Sequence, residues 1–457
     1  MKILNNISLK VRNYFSIGHE RSIKAKKNIF LLFITKGLSV IISLLLVPIV
    51  LHYLDTAKYG IWLTLTSIIS WIYFFDIGLG NGLRNKFAEA RAIGNIELAR
   101  SYVSTTYAIL TLVICSVFIL FIIINFSLDW VKILNAPVYL KREINLLVII
   151  TFSFFCLGFI TKLLDTILVA DQRPGISSII SLIGNLLSLV LIYLLTKFTS
   201  GSLILAGTVL SASAVFIYLI SAVYFFAKDY KDIRPSIKTI DWKLAPELMG
   251  LGIKFFVIQI SVLVIFTTSN LIITQLFGPS QVTVYNISYK YFGVIPMVFG
   301  IIAAPFWSAY TEAYTKNDFE WIKKMTYKLL RVWLIFALAV IIMILFSKNI
   351  YALWVGSEIH IPLSLSIFMG VFVLILTYDS IFISFINGIG KVKLQLYLSV
   401  ISAISLIPFA ILFGKILNFG LTGVIIAICV VLAPSPVLVT IQYLKIINKT
   451  AKGIWNK

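Results

Sequence analysis

The chain has 457 residues and a formal net charge of +21, yet 60% of it is apolar and only 12% is charged. Water-soluble domains carry about 25% charged residues, and surface-to-volume scaling gives them no interior large enough for this much apolar side chain. Composition thus excludes a string of soluble domains and makes a bilayer the solvent. The apolar runs are continuous and about 20 residues long, so they are helical spans and not the alternating ~10-residue strands of a membrane barrel.

In chain order, the first 28 residues are basic. Lys2, Lys10, Arg12, Lys24, Lys26 and Lys27 surround Leu4, Ile7, Val11, Tyr14 and Phe15 at helical spacing. That pattern suits a helix lying on an anionic inner leaflet, with a frayed basic tail as the alternative. The apolar runs then predict twelve spans, at 29–52, 59–80, 103–125, 146–170, 176–197, 203–226, 255–277, 282–308, 332–354, 361–388, 394–416 and 420–444. The first run is too long for the apolar stretch of a signal peptide and has no small-residue cleavage site after it, so it reads as a retained span. Arg173-Pro174-Gly175 and Gly278-Pro279-Ser280 punctuate two tight turns.

Lys and Arg are divided unevenly between the two sides these spans define: 29 of the 39 fall on the side of the N-terminus and 7 on the other, counting Lys197, Lys348 and Lys415 within two turns of span ends there, while Lys36, Lys162 and Lys290 lie deeper inside spans. The positive-inside rule places both termini in the cytoplasm. Most of the net charge is therefore an orientation signal. Spread over seven segments, it forms no compact patch for nucleic acid.

The sequence also repeats itself. A shift of 223 residues lays Glu89-Ala90 on Glu312-Ala313, Asn95 on Asp318, Ile96-Glu97 on Phe319-Glu320 and Arg100 on Lys323. In both halves this polar stretch follows the second span and is amphipathic, which predicts a helical extension. A shift of 218 lays Gln172-Arg173 on Gly390-Lys391. The expected organisation is a basic segment 1–28, a six-helix lobe 29–226, a linker 227–254 carrying Pro235 and Pro246, a second six-helix lobe 255–446 and a tail 447–457. An even number of spans per repeat orients both lobes alike, about an axis along the membrane normal, as in transporters that rock two lobes around a central cavity.

Redox and metal chemistry find little material. Cys115, Cys156 and Cys429 are far apart in apolar runs, with no CxxC, and His19, His52 and His360 are the only histidines. No cofactor is expected.

Pro48, Leu54, Tyr59-Gly60, then Asp76-Ile77-Gly78-Leu79-Gly80-Asn81-Gly82-Leu83-Arg84-Asn85 and Glu89-Ala90 resemble the polysaccharide-transporter family, which includes O-antigen and teichoic-acid flippases. Ile386-Asn387-Gly388-Ile389-Gly390-Lys391 resembles the same family's turn after its tenth helix. The resemblance implies the fold of the multidrug/oligosaccharidyl-lipid/polysaccharide exporter superfamily, two six-helix lobes around a cavity open to one side at a time. It implies a bacterial cytoplasmic membrane protein that carries undecaprenyl-pyrophosphate-linked oligosaccharide from the inner to the outer leaflet. Membrane lipids, glycosyltransferases and a polysaccharide polymerase are the partners it implies.

Such transport breaks no covalent bond. It must take a pyrophosphate and a hydrated glycan through ~30 Å of hydrocarbon, which calls for fixed cations together with neutral hydrogen-bonding and aromatic groups. Lys36, Lys162, Lys290 and Arg84 are the candidate substrate-binding residues. Asp379, Asp165 and Asp76 are candidates for ion coupling or charge pairing. An ionisable group at the centre of a span costs about 2.5–3.5 kcal/mol on insertion scales, so each of those within a span is suspect of function. Helical rise puts Lys36 about 10 Å inside the cytoplasmic boundary and Lys290 about 12 Å inside the outer one. The bland readings are that Lys162 and Asp165, three apart on one helical face, neutralise each other, that Lys36 and Lys290 snorkel to headgroups, that Asp76 anchors at the interface beside Arg84, and that Asp379 pairs with a lysine. Asn270, Gln275, Asn286 and Asn387 fit bonding between helices better than bonding to sugars. Trp and Tyr are expected mostly in interfacial belts.

Two rival classes stand beside the flippase. A drug or cation antiporter of the same superfamily would want a carboxylate-dominated cavity, whereas three intramembrane lysines here face three acids. A membrane-embedded enzyme would want a large outer loop or a buried histidine, and the longest outer segment is only 126–145. Reporter fusions should place 81–102, 227–254, 309–331 and the C-terminus in the cytoplasm and 126–145 outside; an extracytoplasmic signal from 227–254 would overturn the two-lobe arrangement.

Overall fold

A helix in lipid must satisfy its own backbone hydrogen bonds, because hydrocarbon offers no partners. The computed structural model describes residues 20–71, 79–249 and 253–456, and over these the chain is helical almost throughout. The expected surface helix near the N-terminus and Asp76 lie outside the described residues. The first half contains α1 (Glu20–Leu54), α2 (Thr56–Ser70), α3 (Leu79–Ala92), α4 (Ile96–Asn125), α5 (Lys141–Thr161), α6 (Leu163–Ala170), α7 (Pro174–Phe198) and α8 (Leu203–Ala227). The second contains α9 (Ile253–Phe277), α10 (Pro279–Thr315), α11 (Phe319–Val355), α12 (Leu363–Gly388), α13 (Lys393–Ile411), α14 (Gly420–Leu432) and α15 (Pro434–Ile447).

Ten helical stretches among the described residues are long and apolar enough to cross a bilayer. The other two expected spans fall on α2 with the start of α3, on either side of residues 72–78, and on α9, which has 25 residues. Two expected spans are broken within the membrane: the fourth at Lys162, between α5 and α6, and the twelfth at Ala433, where Pro434 opens α15. Proline fits a first-turn position because its missing N–H has no partner there.

Each half packs around its own interior. In the first, α1 lies on α7, α7 on α8 and α8 on α5, and Leu65, Leu83, Phe87, Leu110 and Leu164 are buried in one core. In the second, α12 lies on α10, α11 and α14, and α9 on α13. Phe292, Phe372, Leu406 and Ile428 form one cluster there, and Phe299, Tyr310, Phe385 and Tyr443 another.

The repeat register is visible in the backbone. Asp55 and Gly278, 223 residues apart, both have positive φ between the first and second helices of their half, as Gln172 and Gly390, 218 apart, do at a later turn. Asn95 and Asp318 both cap a helix, accepting from the backbone N–H three residues on, at 2.9 and 3.0 Å. The amphipathic extension is helical in both halves, as α3 and as the end of α10.

Two ends of the bundle can be told apart. The basic end carries 93–95, 171–173, 228–249, 316–318 and 389–392. The lysine-poor end carries Asp55, 199–202, Gly278 and 356–362. The connection between halves is not slack: residues 228–249 dock on the first lobe. Ser104 Oγ meets Thr239 Oγ1 at 2.7 Å, the Asp241 amide donates to Thr105 Oγ1 at 3.0 Å and the Arg100 guanidinium donates to the Arg234 carbonyl at 3.2 Å. Glu247 accepts from the Tyr102 hydroxyl at 2.9 Å and pairs with Lys86 at 3.3 Å. Those two contacts, the tyrosine bond first, hold the Glu247 carboxyl below its ordinary pKa. The clasp therefore persists while Glu247 is ionised and is lost as pH falls through that lowered value.

A methyl group on Gly82 would lie 1.9 Å from the Leu248 carbonyl oxygen, so only glycine lets the connection seat here. Gly82→Ala should lift residues 228–249 from the lobe and speed proteolytic cleavage within them while the protein still inserts. An unchanged cleavage rate would show that the docking does not depend on this approach.

Candidate functional site

The first lobe carries a half-open cavity of about 650 Å³ between α2, α5, α6 and α8. Its shape follows from the break at Lys162. The Lys162 amide closes α5 on the Gly158 carbonyl at 3.0 Å, the Asp165 amide bonds back to the Lys162 carbonyl at 2.9 Å, and α6 restarts with both side chains on the cavity wall. Gly207 on α8 makes room for the opposite wall, because a methyl there would sit 2.1 Å from Leu147 Cδ1 and 3.0 Å from the Trp62 ring.

Trp62, Phe155 and Phe159 supply aromatic surface, and Thr66, Ser70, Thr151, Thr166 and Ser211 supply hydroxyls. Several of these hydroxyls already donate to their own helix: Thr66 to the Trp62 carbonyl at 3.0 Å, Ser70 to Ser67 at 2.6 Å and Ser211 to Gly207 at 2.7 Å. Thr151 Oγ1 is buried and has no hydrogen-bond partner. Asp165 accepts a hydrogen bond from Ser177 Oγ on α7.

A second feature joins the lobes through the lysine-poor half of the bundle, where α2 packs on α9 and α10. A methyl on Gly60 would lie 1.7 Å from the Pro279 carbonyl oxygen, so the two backbones touch there. Beside that contact Thr64 Oγ1 and Thr274 Oγ1 are 2.6 Å apart, and Thr283 donates to the Thr56 carbonyl at 2.7 Å. Asn270 donates to Ser67 Oγ at 2.7 Å and accepts from Asn286 at 2.9 Å, and Gln275 donates to the Ile133 carbonyl at 2.6 Å. Trp354 donates to the Leu44 carbonyl at 2.8 Å. Asn270, Gln275 and Asn286 thus bond between elements, the reading preferred from sequence.

Among the predicted site residues, the structure brings Lys162 and Asp165 together on the cavity wall. Lys290 does not line that cavity; it is half-buried at the seam and donates to the Tyr59 hydroxyl of the other lobe at 3.4 Å. Lys36 is exposed on α1 and Arg84 on α3 at the basic end. Asp379 on α12 accepts from Ser435 at 2.8 Å through one oxygen, and its other oxygen is buried without a partner.

Sequence reasoning missed Thr151, Trp62, Thr64 and Thr274. Nothing distinguishes a threonine within an apolar run until its neighbours are known. Trp62 is 8% exposed, packed inside the lobe and not facing outward as a belt residue would.

These features define a class, a two-lobed multipass helical membrane protein. Solved structures of that class have the same fold: an inward-facing multidrug resistance MATE transporter of the MOP superfamily matches with TM-score 0.78 and 17% identity over 91% of this chain and 96% of that one. An outward-facing structure matches with TM-score 0.66 and 17% identity, over 93% and 97%.

The chain belongs to the polysaccharide biosynthesis protein family, whose profile matches residues 25–311. The MatE profile matches residues 255–412. A Yersinia pseudotuberculosis protein named for O-antigen export is 25% identical, covering 85% of this chain and 88% of its own length. A Salmonella typhimurium protein named as an O-antigen transporter is 22% identical, covering 83% and 90%.

The seam makes its own prediction. Cysteines at Thr64 and Thr274 should form a disulfide under oxidation, since the two side-chain oxygens are 2.6 Å apart, and reduction should release it. If the lobes must part here, the oxidised protein will be inactive and the reduced one active. Full activity of the cross-linked protein would show that the seam stays closed throughout the cycle.

Proposed function

We propose that this protein moves an undecaprenyl-pyrophosphate-linked oligosaccharide from the cytoplasmic to the outer leaflet of a bacterial cytoplasmic membrane, for O-antigen, capsule or teichoic-acid-like surface polysaccharide. The observation that carries the reading is a two-lobed transporter of the polysaccharide biosynthesis family whose lobes meet through neutral hydrogen bonds in one half of the bundle. Each such bond contributes only about 0.5–1.5 kcal/mol net, so the seam can open and close repeatedly. The charge asymmetry assigns the seam to the outer half and both termini to the cytoplasm. The described state then receives cargo from inside.

The chemistry is binding and release alone. The lipid tail stays in hydrocarbon while the head crosses between the lobes. Lys36, Lys290 and Arg84 are the cations offered to the pyrophosphate, with Lys290 held by Tyr59 until the seam parts. Asp379, with one unpartnered oxygen, is the foremost ion-coupling candidate, followed by Asp165 and Asp76. Glycosyltransferases and a polymerase act before and after this step.

Replacing Lys36 and Lys290 together by Gln should abolish surface glycan, leave protein abundance intact and cause lipid-linked glycan to accumulate on the cytoplasmic leaflet. Losing one charge-assisted phosphate contact removes about 1.5–3 kcal/mol, roughly a tenfold to hundredfold loss of binding. Arg at either position should restore part of the transport because it keeps the charge. Normal surface glycan from the double Gln variant would sink the cationic mechanism.

A further inference from the structure

We infer that the cavity of the first lobe is a subsite for one neutral sugar ring of the cargo, not for its pyrophosphate. The inference rests on the transport reading above and adds the chemical class of what this cavity holds. At about 650 Å³ it lies within the roughly 300–1,000 Å³ of small-molecule sites.

Charge decides first among the possible occupants. Lys162 and Asp165 both stand on the wall, so the cavity holds one formal charge of each sign. A pyrophosphate would be drawn to Lys162 and repelled by Asp165, and an organic cation the reverse. Either would give up its hydration without a net counter-charge. A neutral molecule gives up far less.

Hydrogen-bonding capacity decides next. Thr66, Ser70 and Ser211 donate their protons to carbonyls of their own helices, which leaves their oxygens able to accept. Thr151 is 4% exposed, and its hydroxyl has no partner. Its oxygen is buried behind the wall, so the acceptors a ligand meets are those of Thr66, Ser70 and Ser211. The wall therefore asks for a ligand with several hydroxyl donors. An acyl chain offers none and would leave those acceptors without donors. Trp62 and Phe155 add flat apolar surface, which suits the C–H face of a sugar ring lying beside its polar rim.

The test uses the full chain in lipid nanodiscs, with Cys115, Cys156 and Cys429 replaced by Ala and Ser211→Cys introduced on the cavity wall. The rate of thiol labelling is measured alone and with neutral hexoses, N-acetylhexosamines and deoxyhexoses, with tetraethylammonium, and with inorganic pyrophosphate. A sugar held at about ten times its dissociation constant should slow labelling about tenfold by mass action. Protection by tetraethylammonium or pyrophosphate in place of any sugar, or by none of the probes, overturns the proposal. Should Ser211→Cys fail to fold, Thr66→Cys reports on the same cavity.

In cells, Ser211→Ala removes one of those acceptors with little change of shape and should cut surface glycan at unchanged protein abundance. Normal export by that variant counts against the subsite while leaving the flippase reading intact. Normal surface glycan in cells lacking the whole chain would instead remove the flippase reading, whatever the cavity binds.

Discussion

In a bilayer the backbone of every helix is already satisfied, and lipid tails are as apolar as leucine, so close packing and a few polar side chains must hold one helix against another. The structure depends on where those few groups stand. Gly60 lets α2 reach the Pro279 backbone, and that approach brings Thr64 to Thr274 and Ser67 to Asn270. Gly82 does the same for the connection at the opposite end, against Leu248. Glycine at these positions trades side-chain volume for contact between backbones. The first contact joins the lobes, and the second fastens residues 228–249 to one of them.

This distribution has a mechanical consequence. Residues 228–249 are tied to the first lobe by Ser104, Thr105 and Tyr102, so this part of the connection belongs to that lobe and the contact between lobes is left to the seam. Apart from the Lys290–Tyr59 bond, the seam is built of neutral hydroxyls and amides, which exchange partners with water at small cost. The ion pairs of Arg91, Arg173, Asp171 and Asp229 lie at the basic end instead, within the first lobe. There they strengthen packing that need not break when the lobes part.

The polar groups inside the membrane divide the transport problem between them. Lys290 stands where the lobes touch and is bound to Tyr59 across the seam, so its availability is linked to lobe separation. Lys162 and Asp165 share a cavity within one lobe and cancel in charge, which suits a neutral part of the cargo better than its anionic part. Asp379, in the interior of the other lobe, keeps one carboxylate oxygen buried without a hydrogen-bond partner.

The sequence by itself determined the helical class, the order of the spans, the expected orientation and the repeat, because hydropathy, charge and cap chemistry act over a few residues against a bilayer of fixed thickness. Asn95 and Asp318 could be paired before any coordinates, and both cap a helix in the structure. Lys36, Lys162 and Lys290 stood out for the same reason, since a charge within an apolar run is conspicuous alone. Tertiary structure decided which of them share a space. It separated Lys290 from Lys162, set Asp165 beside Ser177 and gave Thr151 and Trp62 a common wall. A threonine on an apolar helix has no signature of its own, because its hydroxyl is satisfied or orphaned by residues tens or hundreds of positions away, and only packing brings those residues near.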